Sequence, residues 1–141
     1  MGMYTGLRGT ILFLPVVAEL MRAWKEDRTA KLGIWEFVFE RLPEDTPGEV
    51  RESLRRWKMV LRADFIPNGA LAYMPSDWEE HHREWEGDRL HFTCSLKNYE
   101  GEIEEFIEEV LPHIAAAWDL ERRYEEDEES TFFSFAKERL L

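Results

Sequence analysis

Hydrophobic residues in the first half of the chain recur with helical spacing in three stretches. The first follows Pro15, which suits the first turn of a helix because its missing N–H would have no partner there. The second covers Leu32 to Leu42 and ends at Pro43. The third follows Thr46-Pro47-Gly48-Glu49, which has the pattern of a capping box. Three helices are therefore predicted, and the apolar positions of the third are Val50, Leu54, Trp57 and Leu61.

Two kinds of apolar run predict strands. The continuous β-rich run Thr10 to Leu14 is typical of a buried strand. Ala70 to Met74 favours a second strand, which follows a turn predicted at Phe65 to Gly69 and ends at Pro75. From Arg89 to Lys97 apolar and polar residues alternate, which predicts a strand with one covered face. The apolar residues of that face are Leu90, Phe92, Cys94 and Leu96.

A fourth amphipathic helix is predicted in the second half. Its apolar positions run from Ile103 to Ile114, and its outer face is almost entirely glutamate. Asn98 is placed to cap the start of this helix, and acidic residues in the first turn suit the helix dipole. Pro112 is expected to kink or end the helix because it has no N–H to donate.

The last part of the chain is compatible with two structures. From residue 118 to residue 125, one set of alternate positions holds Trp118, Leu120, Arg122 and Tyr124, and the other set holds Asp119, Glu121, Arg123 and Glu125. This alternation favours a strand, although a continued helix also fits. Residues 125–129 form an acidic loop, after which residues 131–135 can return as a pairing strand. We therefore expect a single α+β domain over residues 1–141, with an antiparallel or mixed sheet of about four to five strands packed against helices. Residues 125–141 are either part of this domain or peripheral to it.

Composition places the chain among soluble globular proteins. It has 141 residues, 44% of them hydrophobic, which is enough for a core. The single cysteine, Cys94, excludes an internal disulfide framework and points to a reducing compartment, so a cytoplasmic location is expected. No apolar run approaches the ~20 residues that cross a bilayer, so no membrane contact is expected. The formal net charge of −12 argues against general binding of nucleic acid.

The negative charge is unevenly distributed. Eleven basic and ten acidic residues precede Pro75, whereas seven basic and twenty acidic residues follow. Residues 100–129 contain thirteen acids against Arg122 and Arg123. Such a surface is either a solvated face or a mimic of nucleic acid that docks on a basic site. The absence of glutamine and the excess of arginine over lysine fit either a hot host or a GC-rich genome.

One cluster contains residue types that bind metals: Glu79-Glu80-His81-His82 with Glu84, Asp88, His91 and Cys94. It lacks the spacing of known metal motifs, and His91 and Cys94 should point to opposite faces of their strand. A solvated loop is favoured, and Cys94 is expected in the core. The chain has no glycine-rich phosphate loop and no GxSxG motif. No metal, cofactor or enzymatic activity is therefore expected, and a small enzyme stays as an alternative.

Two tryptophans suggest a partner surface. Trp78 and Trp85 stand among charges in the connection from Pro75 to Asp88, apart from the periodic stripes. Aromatic residues on a polar loop are typical anchors of protein interfaces, with Glu79 and Glu80 as a polar rim. Alternatively, one or both indoles fold back beneath the loop.

Three stretches resemble a family of small acidic phage-encoded proteins, similar to phage inhibitors of thermophile bacterial RNA polymerase. They are Gly6 to Gly9, Phe65 to Pro75 with Trp78, and Phe92 to Tyr99. The resemblance implies a protein that binds the β-flap and region 4 of the σ factor, and prevents recognition of the −35 promoter element. The three stretches are structural motifs, so no binding residue is transferred from them.

The resemblance fits a function without an active site. The β-flap tip in that family's target is an exposed apolar helix, so its receptor should be a groove lined by aromatic or aliphatic residues. Trp78 and Trp85 are the candidates for that lining, with Glu79 and Glu80 at the rim. Acidic inhibition of another nucleic-acid machine, such as a CRISPR effector, is the alternative binding function.

Overall fold

The computed structural model describes residues 3–78 and 82–136. The strands are β1 (Thr5–Phe13), β2 (Arg83–Glu86), β3 (Arg89–Leu96), β4 (Ala115–Tyr124) and β5 (Thr131–Ala136). The longer α-helices are α1 (Pro15–Glu26), α2 (Ile34–Glu40) and α3 (Gly48–Trp57), and the single turns are α4 (Phe65–Asn68), α5 (Glu102–Glu105) and α6 (Leu111–Ile114). A 3₁₀ turn covers Ser76–Trp78 and a π-helical turn covers Phe106–Val110. None of the helices in these ranges is long and apolar enough to cross a bilayer.

The strands form one antiparallel sheet in the order β2-β3-β1-β4-β5. The helices pack on one of its faces, so the expected α+β fold is confirmed. Strand β1 lies in the middle and pairs with β3 and β4 along most of its length. Strands β2 and β5 are the two outer strands, at opposite edges of the sheet.

The core lies between the helices and the apolar face of the sheet. On β1, Leu7 and Ile11 point to this face, opposite Cys94 and Leu90 of β3. The predicted apolar face of β3 is therefore confirmed, but the prediction of a single covered face is wrong, because Thr93 and Ser95 on the other face are also buried. Helices α1 to α3 turn the apolar stripes seen in the sequence toward this core, where the apolar side chains are removed from water. The largest buried side chains of the helices are Met21, Trp35, Phe37, Leu54 and Trp57.

Strand β1 begins five residues earlier than predicted, at Thr5. Gly6-Leu7-Arg8-Gly9 lies within this longer strand. Gly9 has a φ of 141°, and a Cβ there would lie 2.1 Å from the backbone oxygen of Asp119. The glycine is therefore needed where β1 and β4 approach closely, and it does not mark a turn.

Two other local predictions are wrong. Residues 70–74 form no strand; instead Ser95 holds them against β3, where its Oγ donates to the oxygen of Ala70 (3.1 Å) and accepts from the N–H of Ala72 (2.8 Å). The capping box is also absent, because α3 has Pro47 as its N-cap and no side-chain cap. The third stripe ends with the helix at Trp57, and Leu61 beyond it is 65% exposed.

The C-terminal half follows its prediction closely. A continuous helical segment runs from Glu102 through the π-helical turn to Ile114, two residues beyond Pro112. The side chain of Asn98 accepts a hydrogen bond from the N–H of Ile103 at 2.8 Å, so it supports the helix start as expected. The chain then turns into β4 and returns as β5, which confirms the strand interpretation of this region.

Candidate partner-binding groove

Trp78 is wholly buried, with no exposed area. The 3₁₀ turn that carries it lies on the polar face of the sheet, and its indole covers Gly6, where a Cβ would come within 2.6 Å of the ring. The guanidinium carbon of Arg8 lies 4.1 Å from the centre of the same indole. The prediction that Trp78 contacts a partner is therefore not supported, because the indole folds back beneath its loop. Glu79 and Glu80 lie outside the described residues.

Trp85 has a different environment. The predicted loop contains a hairpin, in which β2 turns at Gly87 (φ 63°) into β3. Alternation along β2 places Trp85 on the apolar face, opposite Leu90. Its indole is half-buried, with its centre 6.0 Å from that of the Phe13 ring and 5.2 Å from the Arg22 guanidinium carbon. The indole packs against the core and beside Arg22, and part of its surface stays accessible.

An apolar groove opens beside this indole. It has a volume of about 210 Å³, below the roughly 300–1,000 Å³ of typical small-molecule sites, so it suits one large apolar side chain. We call it the Trp85 groove. Its walls come from α1, from the start of α2, from the turn at α4 and from the β2–β3 hairpin. Its lining residues are Met21, Trp24, Lys25, Ile34, Pro67, Asn68, Arg83, Trp85 and Leu90.

Hydrogen bonds fix the walls of the groove. The indole N–H of Trp24 donates to the oxygen of Leu32 at 2.9 Å, which ties the α1–α2 connection to α1. Arg83 donates to the oxygen of Gly69 at 2.8 Å and so joins β2 to the turn at α4. Burial lowers the pKa of Arg83, although an arginine stays protonated at neutral pH. The groove is therefore already formed by contacts within the chain.

The polar face of the sheet carries a second, shallow depression of about 400 Å³. Among its charged groups, Arg8 Nε donates to Glu121 Oε1 at 2.8 Å, and Asp119 Oδ1 accepts from Ser134 Oγ at 2.9 Å. On the same face, between strands β2 and β3, His91 Nε2 lies 3.1 Å from Glu86 Oε1. These pairs leave a mixed polar surface without a converging set of catalytic groups.

Three members of the cluster of metal-binding residue types, Glu79, Glu80 and His81, lie outside the described residues. Within residues 3–78 and 82–136, no group of three or more His, Cys, Asp or Glu side chains could hold a metal ion. His82 and His91 each face a glutamate at 3.5 Å and 3.1 Å. Cys94 is buried on the opposite face, where burial raises the pKa of its thiol to about 12, with a small opposing effect from Arg83. A thiol in that state is a core residue and not a nucleophile.

The acidic half is only partly a solvated surface. Glu102 has no exposed area, and its carboxylate accepts a hydrogen bond from Arg62 at 2.9 Å. Glu104 is paired with Arg122, and Glu125 accepts the N–H of Tyr4 at 2.7 Å. The expectation of a glutamate-coated helix face is thus wrong for Glu102. Between residues 100 and 129 the exposed acids are Glu100, Glu108, Glu109, Asp119, Glu126, Asp127, Glu128 and Glu129.

Comparisons of the chain with protein-family models, with curated proteins and with solved structures found no match. The site must therefore be judged from its own geometry.

Sequence reasoning identified one of the groove residues, Trp85, and missed the others. Met21 and Trp24 lie at helical spacing in the stretch predicted as the first helix, and Pro67 and Asn68 lie in the predicted turn. A groove of this kind depends on where separate elements meet, which periodicity within one element does not contain. The usable signal was Trp24, a large aromatic residue at the end of its stripe and so near the boundary of the core.

Proposed function

We propose that this protein is a regulatory binder, of the phage type, that attaches to bacterial RNA polymerase and inhibits or redirects promoter-dependent transcription. The Trp85 groove carries the proposal, because it is a preformed apolar receptor at the edge of the sheet. In this proposal it takes an apolar side chain from the helix at the β-flap tip. The resemblance of the three sequence stretches to polymerase inhibitors supplies the choice of partner.

Three properties of the groove support a protein as its occupant. Its volume suits one side chain, its lining is mainly apolar, and a half-buried indole forms one wall. Buried aromatic anchors of this kind dominate the binding energy of protein interfaces. Lys25 is the exposed cation among the lining residues, so an acidic group beside the inserted side chain would add to the affinity.

The test is binding of the full chain to purified RNA polymerase holoenzyme, together with promoter-dependent transcription in vitro. Trp85→Ala should raise the Kd by about 30-fold or more, corresponding to about 2 kcal/mol for an aromatic anchor. Trp118→Ala is the matched control, because Trp118 is also a half-buried indole but lies on β4, away from the groove. Thermal unfolding of both variants checks that they fold.

Three outcomes would refute the proposal. In the first, the wild-type protein binds neither the core polymerase nor the holoenzyme. In the second, it binds but leaves transcription unchanged. In the third, the two tryptophan variants lose the same affinity, which would remove the groove from the interface.

The alternative of acidic mimicry has one observation in its favour. Glu108, Glu109 and residues 126–129 are exposed acids in two separate segments, and such charges could occupy a basic site made for nucleic acid. A complex of that kind should weaken steeply between about 0.1 and about 0.5 M salt, whereas binding through the apolar groove should persist. The salt dependence therefore distinguishes the two functions.

A further inference from the structure

Strand β5 forms an open edge of the sheet. It pairs with β4 on one side, and within the described residues no backbone hydrogen bond reaches its other side. Five of its six residues are exposed, and Phe132 and Phe135 are 67% and 46% exposed. A row of backbone donors and acceptors beside exposed aromatic rings is a site that another strand can occupy.

The two edges of the sheet differ in charge. Strand β2 reads Arg-Glu-Trp-Glu, so three of its four residues carry charges that discourage pairing with another strand. Strand β5 reads Thr-Phe-Phe-Ser-Phe-Ala and has no charge, although the chain as a whole carries −12. The protection that natural sheets place on their edges is present on β2 and missing on β5.

Aromatic residues flank the β5 edge on both faces of the sheet. Phe135 stacks on Trp118 with their ring centres 4.9 Å apart, and Phe133 packs beside them at the margin of the core. Phe132 points to the opposite face, where it borders the polar depression. A strand added to β5 would therefore gain apolar contacts on both of its faces.

We propose that β5 pairs antiparallel with β5 of a second copy of this chain, about a two-fold axis at Ser134. In an isologous pair of this kind, two residues that face each other must have side chains on the same face of the sheet. Because only every second residue of a strand shares a face, the two-fold axis must pass beside one residue, which then faces its own copy. With the axis at Ser134, Phe133 faces Phe135 of the second copy, and Phe132 faces the small side chain of Ala136. An axis at Phe133 would instead place Phe135 opposite Thr131 and Phe132 opposite Ser134, which matches fewer apolar groups.

Charge favours a second copy over a foreign basic strand as the occupant. An edge that selected basic strands would present carboxylates along β5, and it presents none. The neutral strand instead lets two acidic molecules meet where neither contributes charge. Their overall repulsion remains, so the dimer should become tighter as salt screens it, whereas a complex with a basic partner would become weaker.

The strength of the dimer follows from its size. Pairing one short strand from each copy is a contact at the low end of the interface scale, which corresponds to weak association. We expect a Kd on the order of 10–100 µM. The groove and β5 lie at opposite edges of the sheet, so the dimer leaves the Trp85 groove open and does not depend on the proposed function.

Sedimentation velocity from about 5 to about 500 µM protein, at about 0.05 and about 0.5 M NaCl, tests the association. As the protein concentration increases, the weight-average mass should rise from 16.9 kDa towards twice that value. This rise should begin at a lower protein concentration in the higher salt. Ser134→Lys places two lysines opposite each other at the axis and should weaken the dimer by about tenfold or more. Ser76→Lys, on another exposed serine, is the matched control and should leave the dimer unchanged.

A cross-link reports the register directly. Ser134→Cys puts two thiols opposite each other across the axis, and a mild copper–phenanthroline oxidant should join them into a covalent dimer. Ser76→Cys should stay monomeric under the same conditions, and the buried Cys94 should not react. A monomer at every concentration and salt would overturn the proposal. So would a dimer that survives Ser134→Lys, or one that forms no cross-link through Ser134→Cys.

Discussion

The ion pair between Arg62 and Glu102 allows a direct test of how much a buried charge pair contributes to the stability of this fold. Glu102 is fully buried at the start of α5, and its carboxylate accepts Arg62 Nη1 at 2.9 Å and the N–H of Glu100 at 3.1 Å. Removing Arg62 leaves a buried carboxylate without its countercharge, which typically costs 3–5 kcal/mol. We therefore expect Arg62→Ala to lower the free energy of unfolding by about 3–5 kcal/mol.

The backbone at Arg62 offers a second variant that also removes the charge. Arg62 has a φ of 70°, a left-handed conformation that costs a residue with a Cβ about 1–2 kcal/mol. Arg62→Gly removes the same charge but fits that conformation, so it should be about 1 kcal/mol more stable than Arg62→Ala. Arginine and alanine both carry a Cβ at this φ, so the backbone cost cancels between the wild type and Arg62→Ala, and that difference measures the lost side-chain interactions.

Urea unfolding at neutral pH, followed by tryptophan fluorescence and circular dichroism, provides these free energies. In a Glu102→Gln background the substitution Arg62→Ala should cost at least about 2 kcal/mol less, because no buried charge is left behind. The reasoning would be refuted if Arg62→Ala cost less than about 1 kcal/mol, or if its cost were equal in both backgrounds.

Three further predictions concern other parts of the sheet. Gly6→Ala should destabilise the fold by about 1–3 kcal/mol in urea unfolding, because the new Cβ meets an indole at 2.6 Å, whereas Gly48→Ala, with no atom within 4 Å, should not. Cys94 should resist alkylation at pH 8, because its pKa is raised to about 12 and its thiolate is therefore about 1,000-fold scarcer than that of an ordinary thiol. Equal alkylation rates in the folded and the urea-unfolded protein would contradict this prediction. Burial acts to raise the pKa of Glu121, but the hydrogen bond and charge of Arg8 hold it below its ordinary value. This lowered pKa stabilises the fold above about pH 4.5 and the contribution is lost as pH falls through it, so Glu121→Gln should flatten the acid limb of a stability–pH profile.

The sequence predicted the elements whose signal is local. The sequence of α1, of α3 and of β3 places apolar residues on one face of each element. Each of these faces is buried in the core, so the local pattern alone predicts the element. The strands after residue 115 were also correctly favoured over a continued helix, because charged and apolar residues alternate there.

The misses share a dependence on distant residues. The predicted first strand begins at Thr10, after Gly6 and Gly9, because the close contacts of these glycines with Trp78 and Asp119 are made only in the fold. Strand β2 is too charged to be recognised without the β3 strand that it pairs with. Glu102 could not be distinguished from the neighbouring acids, because its burial depends on Arg62, forty residues earlier in the chain.

The order of the strands bears on how the molecule is made. Strand β1 comes first in the chain, yet both of its neighbours come late, at residues 89–96 and 115–124. During synthesis the central strand must therefore wait, unpaired, until most of the polypeptide has left the ribosome. Contacts between such distant parts of a chain slow folding, so the first strand would be a natural binding site for chaperones while the protein is being translated.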